Sequence, residues 1–293
     1  MTHVVIDGRA IGRVIELEIA EQVADFIQNN GRAPCLAAVL VGDDPASAVY
    51  VKNKHLACER VGIESKLHRL AGSTSEEELL DLIAMLNDDP AISGILVQLP
   101  LPSQIRSTYV LDAVHPLKDV DCFHPENVGL LTQGRPRYLP CTPHGCLQIL
   151  HRTGLSVAGK HVAIVGRSDI VGRPLATLLS QKDSHLSPEI CNATVTLLHS
   201  RSKNLAAMTR EADVLIAAIG KPKFVTADMV KPGAIVIDVG INRLPEGLCG
   251  DVDFDSVAPI SSYITPVPKG VGPLTITMLL QNTLAAARAQ IGL

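Results

Sequence analysis

Tyr50 and Lys54 stand four residues apart in a stretch, 46–60, whose pattern predicts a helix, so the phenol and the amine leave the same face. Gln98 follows an apolar run at 92–97 and opens the rigid sequence Gln98-Leu-Pro100-Leu-Pro102. Asp121 lies in Lys118-Asp-Val-Asp-Cys-Phe-His-Pro125. An amine, a carboxamide and a carboxylate gathered at one point can bind a polar heterocycle and pass it a proton, because an amine drawn partly out of water exchanges protons near neutrality. Most helix lysines are merely solvated, and a lone Tyr-x-x-x-Lys is common. Position argues for more here. The helix starts directly beyond a predicted parallel strand at 35–41, on the edge where open α/β sheets take their ligands.

A second chemical signal is Lys160-His-Val-Ala-Ile-Val-Gly166-Arg-Ser168-Asp-Ile-Val-Gly172-Arg-Pro174, a β-branched run ending at glycine before a helix opened by glycine and proline. Gly166 permits a tight turn, Gly172 a close backbone approach, and Pro174 suits a first helical turn. The first amides of that helix, lacking intrahelical partners, would face the pyrophosphate of a dinucleotide. The pattern departs from G-x-G-x-x-G, since Ser168 stands where the second glycine belongs. After the next strand comes His199-Ser200-Arg201-Ser202-Lys203, where an NAD-selective site carries an acid. Hydroxyls beside Arg and Lys suit a 2′-phosphate instead, so NADP is the expected cofactor. The run Thr265-Pro-Val-Pro268-Lys-Gly270-Val-Gly272-Pro273-Leu-Thr275 reads as a rigid loop, capped by Thr275 or by Pro273 at a helix start, and touching ligand. Leu99–Pro100 and Val267–Pro268 sit in loops of the kind where cis prolines occur, without the sequence deciding the isomer.

These residues need a scaffold, and alternating elements supply one. A helix at 11–30, strands at 35–41, 65–70 and 92–97, and helices at 46–60 and 76–87 form a first parallel α/β layer. A proline-rich crossing at 115–145 leads through a helix near 143–151 to a second block, with strands at 161–165, 194–199, 214–219 and 234–239. The apolar terminal helix at 274–290 must pack somewhere, and the first domain is the expected partner. The predicted fold is α/β, with two mostly parallel sheets flanked by helices, the second Rossmann-like, and a cleft between domains. Residues 1–140 plus 273–293 form the expected catalytic domain and 141–272 the nucleotide domain. The link 181–193 exceeds the usual 2–6 residues. It reads as a tolerated surface insertion more readily than as a cofactor lid.

Composition narrows the function classes. A net charge of −4 without a basic run argues against nucleic acid and against anionic membranes, and 46% hydrophobic with 19% charged residues over 293 residues describes an ordinary soluble globular protein. No apolar run approaches the ~20 residues of a membrane span. The N-terminus shows no signal or transit pattern, so a cytoplasmic protein is expected. Seven cysteines make no C-x-x-C pair and no zinc spacing, which points to buried reduced thiols and no metal site.

Together the pieces resemble the bifunctional methylenetetrahydrofolate dehydrogenase/cyclohydrolase family over nearly the whole chain. The resemblance rests on Tyr50-Val-Lys-Asn-Lys54, Gly94-Ile-Leu-Val-Gln98-Leu-Pro-Leu-Pro102, Lys118-Asp-Val-Asp121, Phe123-His-Pro125, Pro140-Cys-Thr-Pro143, Gly166-Arg-Ser168 with Gly172 and Pro174, and Pro266-Val-Pro268, in the family's order. It implies oxidation of 5,10-methylenetetrahydrofolate with NADP, then hydrolysis of the methenyl product to 10-formyltetrahydrofolate, within one-carbon metabolism and in a homodimer. By the same resemblance Lys54 handles protons in hydrolysis, Tyr50 stacks on the folate, Gln98 positions Lys54 and substrate, and Asp121 holds the pterin edge. Val97 and Leu99 flank that site, and Pro268, Lys269, Gly270, Val271 and Gly272 line it. Gly166, Arg167, Ser168, Ser200, Arg201 and Ile241 contact the cofactor, and no metal is implied.

Two residues depart from the family pattern. Lys269 replaces the glycine of Pro-Gly-Gly-Val-Gly, and Cys122 that of Asp-Val-Asp-Gly. If either position needs a left-handed backbone, the replacement costs ~1–2 kcal/mol; Lys269 is also placed to meet an anionic part of folate, such as its glutamate tail. Short-chain dehydrogenases share Tyr-x-x-x-Lys, but there the pair follows the nucleotide loop, whereas here it precedes Gly166 by more than a hundred residues. A dehydrogenase lacking hydrolytic activity, and an inactive folate- or NADP-binding protein, are the alternatives an assay must separate.

Overall fold

The strand Cys35–Val41 is buried at all seven positions, which a strand achieves only with neighbours on both edges and cover on both faces. In the computed structural model, which describes residues 3–245 and 247–292, it is the centre of a parallel three-stranded sheet. In chain order the elements are β1 (Val4–Val5), α1 (Gly8–Asn30), β2 (Cys35–Val41), α2 (Pro45–Val61), β3 (Glu64–Leu70), α3 (Glu76–Asp88), β4 (Gly94–Val97), α4 (Ser107–Ala113), α5 (Pro125–Thr132) and α6 (Cys141–Arg152). There follow β5 (His161–Val165), α7 (Gly172–Ser180), β6 (Thr194–Leu198), α8 (Leu205–Arg210), β7 (Val214–Ala217), β8 (Ile235–Asp238), β9 (Asn242–Leu244), β10 (Gly247–Cys249), α9 (Phe254–Val257), β11 (Tyr263–Ile264) and α10 (Val271–Gln290).

The chain divides into two compact units. One is built on the sheet β3-β2-β4, with α3 burying Leu79, Ile83 and Leu86 against it. Helix α3 begins with a full capping box: the Ser75 hydroxyl accepts from the Glu78 amide while Glu78 accepts from the Ser75 amide. The terminal helix joins this unit from Ile276 onward, burying Met278, Leu279, Leu280 and Leu284. The other unit carries the six-stranded parallel sheet, in the order β1-β11-β8-β7-β5-β6. Chain order reverses on either side of β5, so the switch point lies between β5 and β7.

The division differs from the expected one at the amino end. The stretch through Arg13 belongs to the six-stranded unit, not to residues 14–130 that follow it. Val4 and Val5 pair in parallel with Tyr263 and Ile264, extending that sheet by one edge strand. Gly8 then passes so close to the Gly270 carbonyl that a Cβ on Gly8 would stand 2.0 Å from its oxygen. A two-residue strand carries no periodicity, which is why the sequence gives no sign of it. Residues 131–135 and Thr142–Thr275 complete this unit.

The long link 181–193 is tied down at both ends. The Asn192 amide donates to the Gln181 carbonyl at 2.8 Å, and Val157 and Gly159 donate to Glu189 and Asn192. Its own Ile190 and Cys191 are buried. It is a packed surface excursion. All seven cysteines are unpaired and all but Cys249 are buried. No helix among the described residues is long and apolar enough to cross a membrane.

Candidate active site

In the three-stranded unit, Asp44 caps α2 by accepting from the Ser47 amide at 2.7 Å, and Pro45 supplies a preset first turn. That start, just past the end of β2, carries Tyr50 and Lys54 on consecutive turns. Gln98 extends β4 by donating its amide to the Val39 carbonyl. Its side-chain oxygen accepts from Lys54 Nζ at 3.1 Å, and its Nε2 donates to the Leu99 carbonyl at 2.7 Å, which fixes the amide's orientation. Leu99–Pro100 is cis, and so is Val267–Pro268. Tyr50 keeps 37% of its surface exposed one turn before Lys54, a free aromatic face.

Asp121 reaches this edge because residues 118–121 run alongside β4. Ile95 bridges Asp119 in parallel and donates to the Lys118 carbonyl. Gly94 makes room for Val120, whose Cγ1 would lie 2.4 Å from any Cβ there. Loss of water pushes the Asp121 carboxyl above its ordinary range, and the positive charge of Lys54 works against that rise. The other charged members of the motif are structural. Lys118 donates to the Leu86 and Asp89 carbonyls at the end of α3, and Asp119 accepts from Phe123, His124 and Asn127.

Two residues that the chemistry of the sequence did not single out support Asp121. The Cys141 thiol lies 3.6 Å from its Oδ1, and burial holds that thiol protonated, well above the ordinary range. Asn282, from α10, donates to the Val120 and Leu139 carbonyls at 2.7 and 2.8 Å, tying the residue before Asp121 to the stretch that carries Cys141. Nothing local marks Asn282; its role exists only through a contact 162 residues long.

The six-stranded unit holds the glycine turn. Gly166 has φ 131°, and a Cβ on it would stand 2.0 Å from the Ala218 carbonyl oxygen at the end of β7. A Cβ on Gly172 would meet the Gly166 oxygen at the same distance. This cradle at the switch point fits a dinucleotide pyrophosphate, which needs bare backbone at close range. One expectation needs correction. The first helical amides are not left open, because Ser168 turns back on them: its Oγ accepts from Val171 at 3.2 Å and Gly172 at 3.4 Å, and its carbonyl accepts from Arg173. A serine can do what the second glycine of the common G-x-G-x-x-G fingerprint cannot, and its hydroxyl proton is still available to donate to a phosphate oxygen.

Beyond β6, the turn is closed by the His199 amide donating to Ser202 and the Arg201 amide donating to His199 Nδ1, leaving the side chains of Ser200 and Arg201 exposed. Arg167 is exposed beside the cradle. Ile241, 43% exposed, packs toward the other predicted strip: a Cβ on Gly272 would lie 3.3 Å from Ile241 Cδ1. Pro268 and Lys269 are exposed and Gly270 and Val271 buried. The helix starts at Val271, two residues ahead of the expected Pro273 cap, so Val271 and Gly272 are first-turn residues rather than loop. Proline is welcome in a first turn, which is why Pro273 does not mark the boundary. Among the described residues no group of three or more His, Cys, Asp or Glu could hold a metal ion.

The described geometry matches known proteins in both units. The catalytic-domain model described as tetrahydrofolate dehydrogenase/cyclohydrolase matches residues 6–121, and the corresponding NAD(P)-binding-domain model matches residues 140–291. The chain belongs to the tetrahydrofolate dehydrogenase/cyclohydrolase family. A bifunctional protein FolD of Rhodopirellula baltica is 58% identical over 291 residues, covering 97% of each chain. The crystal structure of the bifunctional FolD enzyme from Campylobacter jejuni is 46% identical with a TM-score of 0.92, over 98% of this chain and 99% of that one. The FolD of Trypanosoma brucei, solved with NADP cofactor and an inhibitor, is 37% identical with a TM-score of 0.91 and covers 99% of each chain.

Within this dehydrogenase/cyclohydrolase the two departures now have a physical reading. Lys269 has φ 87° and Cys122 φ 62°, so both non-glycine residues occupy the left-handed region. Cys122 is buried, and its Sγ lies 3.3 Å from the Tyr138 carbonyl, so its packing offsets the backbone strain. Lys269 is exposed and has no such burial.

Proposed function

We propose that the chain oxidises 5,10-methylenetetrahydrofolate with NADP and hydrolyses the methenyl product to 10-formyltetrahydrofolate. The observation that carries the reading is the Lys54 Nζ–Gln98 Oε1 hydrogen bond beside Asp121. Hydrolysis needs water to add at the methenyl carbon with loss of one proton. The carbon–N5 bond then breaks as the new hydroxyl gives up its proton to become the formyl C=O and N5 takes a proton. One amine within reach of both sites serves both transfers. Gln98 holds that amine in place, Tyr50 offers its ring to the pterin, and Asp121 accepts pterin N–H groups. Val97 and Leu99 complete the substrate contacts here, and Pro268–Gly272 supply them in the other unit.

The hydride acceptor would be supplied by NADP bound at the Gly166 turn. The chain's share in that step is orientation: Gly166, Arg167 and Ser168 hold the pyrophosphate, Ser200 and Arg201 the 2′-phosphate, and Ile241 an apolar face. Incubating 5,10-methylenetetrahydrofolate with NADP should yield reduced cofactor with no lasting methenyl absorbance. Persistent methenyl would support a dehydrogenase alone, and absent reduced cofactor a binding protein. Losing the Arg201 contact removes a charge-assisted bond, so Arg201→Ser lowers the NADP-over-NAD preference by roughly 10–100-fold. An unchanged ratio of kcat/KM values removes Arg201 from cofactor choice.

Lys269→Gly has two expected effects. Removing left-handed strain outweighs the added freedom of the unfolded chain by up to about 1 kcal/mol, which raises Tm by roughly 2 °C. The same change abolishes any preference for polyglutamylated over monoglutamylated folate. Equal affinity losses for both folates, or none, would reject the tail contact. On family grounds we assign a cytoplasmic homodimer; a monomer mass in light scattering would reject the dimer.

A further inference from the structure

Asp251 has no exposed surface, and its two carboxylate oxygens take four hydrogen bonds. Oδ2 accepts from the Ile219 and Gly220 amides at 2.6 and 2.9 Å, and Oδ1 from the Lys221 amide and Asn242 Nδ2, both at 2.9 Å. Three consecutive backbone donors from the loop after β7 thus converge on one side chain, joined by a donor from Asn242, the first residue of β9. Asp251 is itself held in place: Asp238, at the end of β8, accepts from the Gly240, Asp251 and Val252 amides at 2.9–3.0 Å. Glycine is needed at two points of this cluster. A Cβ on Gly240 would lie 2.3 Å from Asp251 Cγ, and one on Gly250 would lie 1.8 Å from Asp238 Oδ2.

Place gives the cluster its meaning. Ile219–Lys221 directly follow Ala218, whose carbonyl touches the Gly166 turn, at the carboxyl ends of β5 and β7. That edge is where doubly wound sheets take a dinucleotide. Gly240 and Asn242 bracket Ile241. A surface loop needs no buried carboxylate to satisfy three successive amides, since water would do so. Fixing them from behind makes sense where the loop's front must keep one shape.

We propose that Asp251 is a positioning residue for the dinucleotide, locking the Ile219–Lys221 and Gly240–Asn242 loops into one wall of the cofactor site. The proposal rests on the reading that NADP binds at the Gly166 turn. The hydrolytic reaction uses no cofactor, so it separates this role from a general role in folding.

The test is direct NADP binding by titration calorimetry, together with methenyl hydrolysis in the absence of NADP. Asp251→Asn keeps the side chain's shape but turns an NH2 group toward amide donors. It should raise the NADP Kd by about tenfold or more, equivalent to about 1.4 kcal/mol, while hydrolysis stays within about twofold. Asn242→Ala removes a single donor and should raise Kd by a few fold; it carries the test if Asp251→Asn does not fold. Wild-type NADP affinity in a folded variant of either kind overturns the proposal. So does a parallel loss of binding and hydrolysis, which means only a folding role. Wild-type affinity in Gly166→Ala overturns the underlying placement of NADP, whereas loss there with wild-type affinity in Asp251→Asn overturns the role of Asp251 alone.

Discussion

Lys54→Met slows hydrolysis of 5,10-methenyltetrahydrofolate by about 10²–10⁴-fold, the range that a positioned proton-transfer group supplies. Methionine keeps most of the lysine stem's volume, so the α2 face loses a charge and a donor rather than its packing. Gln98 keeps its bond to the Leu99 carbonyl and so stays in place. Hydride transfer asks only for orientation, and dehydrogenase turnover falls much less. A second readout follows from Asp121. Burial raises its carboxyl, and the Lys54 charge opposes that rise, so removing the charge lifts the carboxyl further. Binding that needs the ionised carboxylate is lost as pH falls through its pKa. In Lys54→Met that loss therefore begins at a higher pH than in the wild type. The pH profile of the folate KM measures it. Full hydrolytic activity in the variant, or an unmoved profile, removes Lys54 from the mechanism.

The second large effect is at the turn. Gly166→Ala must place a Cβ 2.0 Å from a backbone oxygen and 2.7 Å from its carbon, at φ 131°, where only glycine is comfortable. Neither neighbour is a flexible side chain, so β5 and β7 must separate at their carboxyl ends. We expect NADP affinity to fall at least about 100-fold, roughly 2.7 kcal/mol, measured by calorimetry. Hydrolysis of the methenyl substrate without NADP should remain within about threefold. Retained affinity would mean that the dinucleotide sits elsewhere.

The parts of the fold legible in sequence were those with long local signals. The runs at 35–41 and 161–165 are uninterrupted and β-branched or apolar, and the structure ends both strands at the same residues. The two-residue strands Val4–Val5 and Tyr263–Ile264, and the hairpin β9–β10, are too short for any period to register. Gln98 was readable because it stands at the end of an apolar strand, and Lys54 because its helix starts just past one, and strand ends predict location. Asp121 was read only as a carboxylate in the proline-rich crossing, and its place beside β4 comes from the pairing of Ile95 with Asp119. Asp251 and Asn282 were not, because an aspartate after a glycine and an asparagine in an apolar helix look ordinary until distant backbone groups arrive to meet them. Ser168 shows the opposite error: the departure from the glycine pattern was visible, but its effect on three neighbouring amides was not.

Of the seven thiols only Cys249 is reachable from solvent in the folded chain. A maleimide fluorophore added under native conditions therefore goes to a single position without any cysteine having to be removed. That position lies at the end of β10, two residues before Asp251. The natural sequence thus carries its own labelling handle, from which nucleotide arrival at the neighbouring loops can be followed in real time as a change in emission.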